Sequence, residues 1–190
     1  MNFESSGELW KRFISGDTVS FCEIFKTYYK GMYGYGLKLC NNPNLTEDCI
    51  QELFVSIWER RDNLHHITSP NVYLFVSLRR NILKMQREQI RKKNLLDDEA
   101  NGSFNIHFGA EELIIRHELK NEQKEELQRA LNQLSNRQKE VIYLHFYNGM
   151  SYHEIEEILS INRQSVRNLM YRAMESLRTV LDLETMRLVI

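Results

Sequence analysis

The sequence predicts an all-α protein made of two small helical domains. Apolar residues recur every three or four positions along most of the 190-residue chain, which is the spacing of a buried helix face. The chain contains only 2 proline and 8 glycine residues, too few for the many tight turns of a β-sandwich or barrel. A polar stretch at 94–110 interrupts the periodicity. We therefore predict domains over 1–93 and 111–190, joined by a flexible linker over 94–110.

Four helices are predicted in the amino-terminal domain. Asp17 is placed to cap the second of them, because an aspartate side chain accepts hydrogen bonds from the free N–H groups of a first turn. The polar residues 41–44, around Pro43, are expected to interrupt the helical pattern, and Pro70 suits the first turn of the fourth helix. The helices are expected over a short segment that ends at Gly16, then over 17–40, 46–61 and 71–93.

The carboxyl-terminal domain carries the pattern of a helix-turn-helix. Ser135 with Gln138, and Ser151 with Glu154, have the spacing of capping boxes, in which a side chain and the backbone satisfy each other's free groups. After a tight turn, Asn162 can cap a final, longer helix. A short helix, a tight turn and a longer helix form the motif whose second helix normally lies in the major groove of DNA.

The outer face of the final helix has the composition expected of a DNA reader. From Arg163 to Arg178 there are four arginines and one glutamate. Arginine can bind guanine edges, and glutamine and asparagine can bind adenine. The other interpretation is a solvated face on a three-helix packing unit. The residues of this face are Arg163, Gln164, Arg167, Asn168, Tyr171 and Arg172.

A second basic segment lies at the end of the amino-terminal domain. Seven basic residues and one acidic residue, Glu88, occur between positions 79 and 93, although the formal net charge of the chain is −1. Aromatic residues lie nearby in the sequence, at Trp58, Tyr73 and Phe75. Basic and aromatic side chains together suit single-stranded nucleic acid, whereas a solvated helix end beside core aromatics is the alternative.

Two segments of the amino-terminal domain resemble a known family. The segment 46–54, followed by Trp58 and Glu59, resembles the polymerase-binding helix of extracytoplasmic-function (ECF) sigma factors, which carries Asp, Gln, Phe and Trp at these spacings. The segment 73–75, followed by Arg80 and Asn81, resembles the promoter-melting helix of the same family.

The carboxyl-terminal run from Leu134 resembles the other domain of ECF sigma factors, because its motifs follow in the family's order. Three positions depart from the family pattern. Asn136 stands where proline is frequent, and Cys49 replaces a larger aliphatic residue. Lys84 stands where many members carry aspartate.

The resemblance implies a role for each of three surfaces. The residues implied on or beneath the surface that meets the largest polymerase subunit are Asp48, Gln51, Glu52, Phe54 and Trp58, of which Phe54 and Trp58 are expected to support the surface as core. The loop Asp62–Ser69 is similar to one that captures a flipped base of the minus-ten element, and the implied contacts there are Asn63, His65, Tyr73, Arg79, Arg80, Asn81 and Lys84. The implied contacts to the minus-thirty-five element are Arg163, Gln164, Ser165, Arg167, Asn168, Tyr171 and Arg172.

The implied partners are core RNA polymerase, promoter DNA and an anti-sigma factor, which in this family is often membrane-anchored. We expect no catalysis and no cofactor or metal, because the six histidines form no HExxH pattern and no phosphate-binding glycine loop occurs. The absence of an apolar run or signal peptide predicts a cytoplasmic protein, in which the three cysteines are reduced and buried. Two other hypotheses are a stand-alone helix-turn-helix regulator that binds operator DNA and a helical scaffold.

Overall fold

The computed structural model describes residues 6–94 and 121–180. In these two ranges the backbone forms eight α-helices, one 3₁₀ turn and one π-helical turn, and contains no strand. The prediction of an all-α protein is therefore confirmed. None of the described helices is both long and apolar enough to cross a membrane. The helices are α1 (Ser6–Ile14), α2 (Thr18–Cys40), α3 (Pro43–Glu59), α4 (Pro70–Asn94), α5 (Asn121–Gln133), α6 (Asn136–Ile142), α7 (Tyr152–Leu159) and α8 (Arg163–Val180).

Contacts divide the chain into two compact units, Met1–Ser103 and Phe104–Ile190. The first unit contains α1 to α4, and the second contains α5 to α8. The predicted linker over 94–110 lies outside the described residues, apart from Asn94 at the end of α4. Its boundaries and its flexibility therefore stay predictions.

The turn between α1 and α2 is held by Asp17, as predicted. Gly16 adopts a φ of 94°, and Asp17 then caps α2 by accepting a hydrogen bond from the Val19 amide at 3.0 Å. The second carboxylate oxygen accepts from the Ser20 hydroxyl at 2.6 Å and from the Arg12 guanidinium at 2.8 Å. These hydrogen bonds lower the pKa of Asp17 to about 2, and the one from Ser20 has the largest effect.

The break between α2 and α3 is shorter than predicted, and α3 begins at Pro43 rather than near Thr46. Proline is compatible with a first helical turn, where its missing N–H has no intrahelical partner in any case. Asn42 caps α3, since its side chain accepts a hydrogen bond from the Leu45 amide at 3.1 Å. The prediction took Pro43 as a helix breaker, but here it opens the next helix.

The core of the first unit depends on a close approach at Gly36, where α2 meets α3 and α4. A Cβ atom at Gly36 would lie 2.6 Å from the methyl carbon of Thr46 and 3.1 Å from the terminal methyl of Ile82. Both neighbours are fully buried, and the Thr46 hydroxyl donates a hydrogen bond to the Asn42 carbonyl at 2.9 Å. The threonine side chain is therefore held in place, and only glycine fits opposite it.

The second unit is built around α8, against which α5, α6 and α7 all pack. Apolar side chains from each helix are buried there, including Leu131, Val141, Ile155 and Val166. Glu140 is also buried, and its carboxylate pairs with the Arg137 guanidinium at 3.1 Å. The remainder of this core is Leu127, Ala130, Leu134, Ile142, Tyr143, Leu144, Met150, Ile158, Leu159, Met170, Ala173 and Leu177.

Both predicted capping boxes are present in the second unit. At the start of α6, the Gln138 amide donates to the Ser135 hydroxyl at 3.3 Å, and the Ser135 amide donates to the Gln138 side chain at 2.8 Å. At the start of α7, Ser151 and Glu154 form the same pair of bonds at 3.3 and 2.8 Å. The two short helices therefore begin where the sequence predicts.

The end of the α6 segment differs from an ordinary helix. Residues 143–147 form a π-helical turn, in which the Asn148 amide donates to the Tyr143 carbonyl at 3.2 Å. Gly149, with a φ of 66°, then ends the segment. The π winding itself has no signal in the sequence.

We predict that Gly36→Ala destabilises the first unit by about 1 kcal/mol. Overpacking a core costs about 1–3 kcal/mol, which outweighs the gain of about 1 kcal/mol from replacing a helical glycine by alanine. Both tryptophans of the chain, Trp10 and Trp58, lie in this unit, so urea unfolding followed by tryptophan fluorescence reports on it selectively. Gly7→Ala is the matched control, because no atom lies within 4 Å of the added Cβ. Equal unfolding midpoints for the two variants would contradict the close approach.

Candidate functional site

The predicted polymerase-binding residues of α3 form an exposed polar face. Asp48, Gln51 and Glu52 are all exposed. Val55 is exposed over 56% of its surface and lies on the same side of the helix, seven residues after Asp48. Glu59 continues this line and is also exposed. We call Asp48, Gln51, Glu52, Val55 and Glu59 the α3 face; Val55 and Glu59 were not predicted as contact residues.

Phe54 does not belong to the α3 face, although it was predicted with the residues of this site. Its side chain is only 4% exposed, and its ring packs edge-on against Phe21 at 5.9 Å and Phe25 at 4.9 Å. Helical spacing turns this position toward α2, so Phe54 supports the surface from beneath. Trp58 is half-buried, with its ring 5.1 Å from that of Phe21.

The cysteines do not all match the prediction of buried thiols. All three are free, but Cys22 is exposed, Cys40 is intermediate and only Cys49 is buried. Cys49 lies on the inner side of α3, where burial raises the pKa of its thiol to about 11. The thiol is therefore protonated near neutral pH, as expected of a packing residue and not of a nucleophile.

The loop between α3 and α4 presents the first predicted minus-ten residues. A 3₁₀ turn, Arg61–Asn63, opens the loop, and Leu64 is buried at 6% exposure. Asn63 and His65, on either side of Leu64, are both exposed. The buried leucine thus attaches the loop to the core, while its polar neighbours face solvent.

On α4 the structure brings together only part of the predicted minus-ten set. Tyr73, Arg80 and Lys84 share one side of the helix, because they are separated by seven and four residues. Arg79 and Asn81, one position before and after Arg80, lie to either side of that line and are half-buried. Tyr73 is also half-buried, whereas Arg80 and Lys84 are exposed.

The basic side of α4 extends beyond the predicted residues. Arg87 and Arg91 are exposed and continue the line of Arg80 and Lys84 toward the end of the helix. Glu88 is the acidic residue of α4, and its carboxylate lies 4.0 Å from the Lys84 ammonium group. The sequence feature that could have identified these two arginines is the basic segment 79–93.

The helix-turn-helix is formed by α7 and α8. Ser160 adopts a φ of 53° after α7, and Asn162 caps α8 by accepting a hydrogen bond from the Ser165 amide at 2.8 Å. The predicted cap of the final helix is therefore confirmed. Val166 and Met170 are buried on the inner side of α8.

The outer side of α8 carries the predicted minus-thirty-five residues. Tyr171 is exposed over 65% of its surface. The Gln164 side-chain amide donates to the Asn168 side-chain oxygen at 3.0 Å, so these two residues form one polar pair near the start of the helix. Ser165 is half-buried at the edge of this surface. The exposed members are Arg163, Gln164, Arg167, Asn168, Tyr171 and Arg172.

No group of three or more metal-ligating side chains occurs within the described residues. His145 instead lies against the turn that precedes α7, with its Nδ1 atom 2.8 Å from the Met150 carbonyl oxygen. His153 lies 3.8 Å from Glu156 and 3.5 Å from Glu157 on the exposed side of α7. Each of these two histidines therefore has a local structural contact.

Comparison with known proteins places both units in one family. The family described as Sigma-70 region 2 matches residues 24–92, and that described as Sigma-70, region 4 matches residues 124–177. The ECF RNA polymerase sigma factor SigK of Mycobacterium tuberculosis is 20% identical over 176 residues, with 92% of each chain covered. The ECF RNA polymerase sigma factor SigX of Bacillus subtilis is 24% identical over 164 residues, covering 84% of this chain and 82% of SigX.

Two solved structures share the fold. CnrH, determined in complex with the cytosolic domain of CnrY, superposes with a TM-score of 0.59 at 16% identity, covering 94% of this chain and 98% of CnrH. The sigma factor RpoE of Bartonella quintana, determined in complex with the anti-sigma factor NepR, gives a TM-score of 0.57 at 20% identity, with coverage of 86% and 98%. The two family matches together span well over half of this chain, which therefore belongs to the sigma-70 family, within its extracytoplasmic-function group of alternative sigma factors that direct transcription initiation.

Proposed function

We propose that the two units of this sigma factor divide its work. In this proposal the α3 face binds core RNA polymerase, the loop 62–69 and α4 bind the minus-ten element, and α8 reads the minus-thirty-five element. The observation that carries the proposal is the arrangement of α8. Its Asn162 cap and buried inner side leave arginine and amide side chains exposed at the start of the second helix of a helix-turn-helix.

The surfaces of the first unit support the same division by their opposite charge. The α3 face carries the carboxylates of Asp48, Glu52 and Glu59, which suit a partner surface with basic groups. The outer side of α4 carries Arg80 and Lys84, which suit the phosphates of promoter DNA. One small unit can therefore hold a protein and a nucleic acid at the same time.

In this proposal the chain acts in the cytoplasm by binding, and it catalyses no reaction itself. Its activity is further proposed to be restrained by an anti-sigma factor. The support for this partner is that RpoE, which shares the fold, was determined with an anti-sigma factor bound. A stand-alone regulator is not favoured, because the family matches fall in both units and the α3 face would then have no partner.

Run-off transcription tests the proposed function directly. Purified bacterial core polymerase is combined with the full chain on DNA from the region upstream of the chain's own gene. We expect a transcript of defined length that appears only when both proteins are present. A helical, folded chain that supports no initiation on this DNA would contradict the proposal, and tight binding of the free chain to a palindromic duplex would favour the stand-alone regulator.

We predict that Asp48→Lys weakens binding to core polymerase at least tenfold, because it reverses a charge within the acidic α3 face (roughly 1.4 kcal/mol or more). Binding is measured by titrating labelled chain with core polymerase. Glu23→Lys is the matched control: Glu23 is an exposed acidic residue of α2, outside the α3 face. Unchanged affinity of the Asp48 variant would remove this residue from the interface.

We predict that Asn168→Ala relaxes the preference for one base pair of the minus-thirty-five element by about tenfold, since a side-chain amide distinguishes adenine by a pair of hydrogen bonds. Holoenzyme binding is measured on promoters in which each base pair of the element is replaced in turn. Thr179→Ala is the control, because Thr179 is exposed on the same side of α8 but eleven residues further along. A uniform loss at every position would assign Asn168 to the DNA backbone instead.

A further inference from the structure

Helix α1 precedes the segment 24–92 that the region 2 family matches, yet it is part of the core of the first unit. Trp10 and Phe13 are 2% and 0% exposed, and Ile14 is 7% exposed. The helix contacts α2, α4 and the 3₁₀ turn Arg61–Asn63. Two of these elements, α4 and the 3₁₀ turn, carry residues assigned above to the minus-ten element.

One end of this contact is the ring pair of Trp10 and Tyr73. The ring centroids lie 6.1 Å apart with planes 65° from parallel, an edge-on arrangement that aromatic rings favour. Tyr73 lies in the first turn of α4, and its backbone amide donates to the Ser69 carbonyl at 3.1 Å. The Tyr73 ring is partly exposed, and it packs on one side against the buried indole of Trp10.

On its other side, α1 contacts the residues at the start of the loop between α3 and α4. The Phe13 ring lies 4.9 Å from that of Trp10 and 6.3 Å from that of Trp58. The Arg61 guanidinium lies 4.8 Å from the centre of the Trp58 ring and donates to the Trp58 carbonyl at 2.8 Å. A continuous line of side chains thus joins Tyr73, through α1, to the first residue of the 3₁₀ turn.

The indole of Trp10 is not explained by the stability of the unit alone. Its Nε1 atom is buried, and no hydrogen-bond acceptor for it is found within the described residues. A buried donor without a partner disfavours the folded state, and phenylalanine would avoid that cost. What the larger ring provides here is its reach to both Phe13 and Tyr73.

We propose that Trp10 is a positioning residue for the minus-ten surface, and that α1 sets the relative placement of Tyr73 and the 3₁₀ turn at the start of the loop. This inference rests on the proposed minus-ten role of Tyr73 and the loop. Trp10 itself touches no DNA in this arrangement. It acts through the Tyr73 ring, because the edge-on contact restricts the orientation of that ring and how deeply it is buried.

The test compares Trp10→Phe with Trp10→Leu in the full chain bound to core polymerase. Both variants keep an apolar core side chain and remove the unpartnered N–H, but only phenylalanine keeps a ring edge for Tyr73. Stable open complexes are measured on two promoters: one that the holoenzyme uses, and the same promoter with its minus-ten element altered. The readout is the ratio of the first amount to the second. This ratio is independent of the fraction of folded, active protein.

We expect Trp10→Leu to lower this selectivity ratio about fivefold, the equivalent of one aromatic pair, and Trp10→Phe to lower it less, by about twofold, because the smaller ring keeps an edge but reaches less far toward Tyr73. Core affinity is expected to be unchanged in both. Ile14→Ala is the matched control, because it removes buried packing from α1 without a ring contact, and it should preserve the ratio. An unchanged ratio in Trp10→Leu, or an equal fall in Ile14→Ala, would overturn the inference.

Tyr73→Ala separates this inference from the proposed function on which it rests. If Tyr73→Ala leaves the ratio unchanged, the proposed minus-ten role of Tyr73 fails, and the positioning role of Trp10 fails with it. If Tyr73→Ala lowers the ratio while Trp10→Leu does not, only the positioning role fails. A fall in both variants supports the inference.

Discussion

The contact between helices at Gly36 is the constraint on which the first unit depends. The absence of a side chain there lets α2 approach α3 and α4 closely enough for Thr46 and Ile82 to fill the space. Asp48 follows Thr46 by two residues, and Arg80 precedes Ile82 by two, so each lies on the outer side of a helix whose inner side meets α2. The packing that requires glycine thus also determines where the acidic and basic surfaces stand.

The second unit reaches a defined geometry by different means. Its α6 and α7 are only 7 and 8 residues long, too short to be stable helices by themselves. Reciprocal side-chain and backbone hydrogen bonds at Ser135 and Ser151 define where each helix begins, and burial against α8 supplies the remaining stability. Because Asn162 begins α8 directly after the turn at Ser160, the register of the exposed arginine and amide side chains is set locally.

The predictions that succeeded rest on short sequence patterns, whereas two other features had no unambiguous signal in the sequence. The cap at Asp17 and both capping boxes follow from residues two or three positions apart, so the sequence was sufficient. Pro43 was misjudged because a proline can interrupt one helix and open the next, and only the Asn42 cap distinguishes the two. The contact of Trp10 with Tyr73 joins two helices far apart in the chain, so no local pattern predicts it.

The near-neutral net charge of the chain reflects nearly equal numbers of basic and acidic residues, 25 and 26, which gather on different surfaces. A formal net charge of −1 combines an acidic α3 face with basic sides on α4 and α8. Salt screens exposed charges over about 10 Å, so each surface is expected to attract a partner only at short range, and we expect the free chain to bind DNA weakly. In the proposed function, attachment of α3 to polymerase supplies the missing attraction, because it raises the local concentration of α4 and α8 at a promoter that the polymerase already holds.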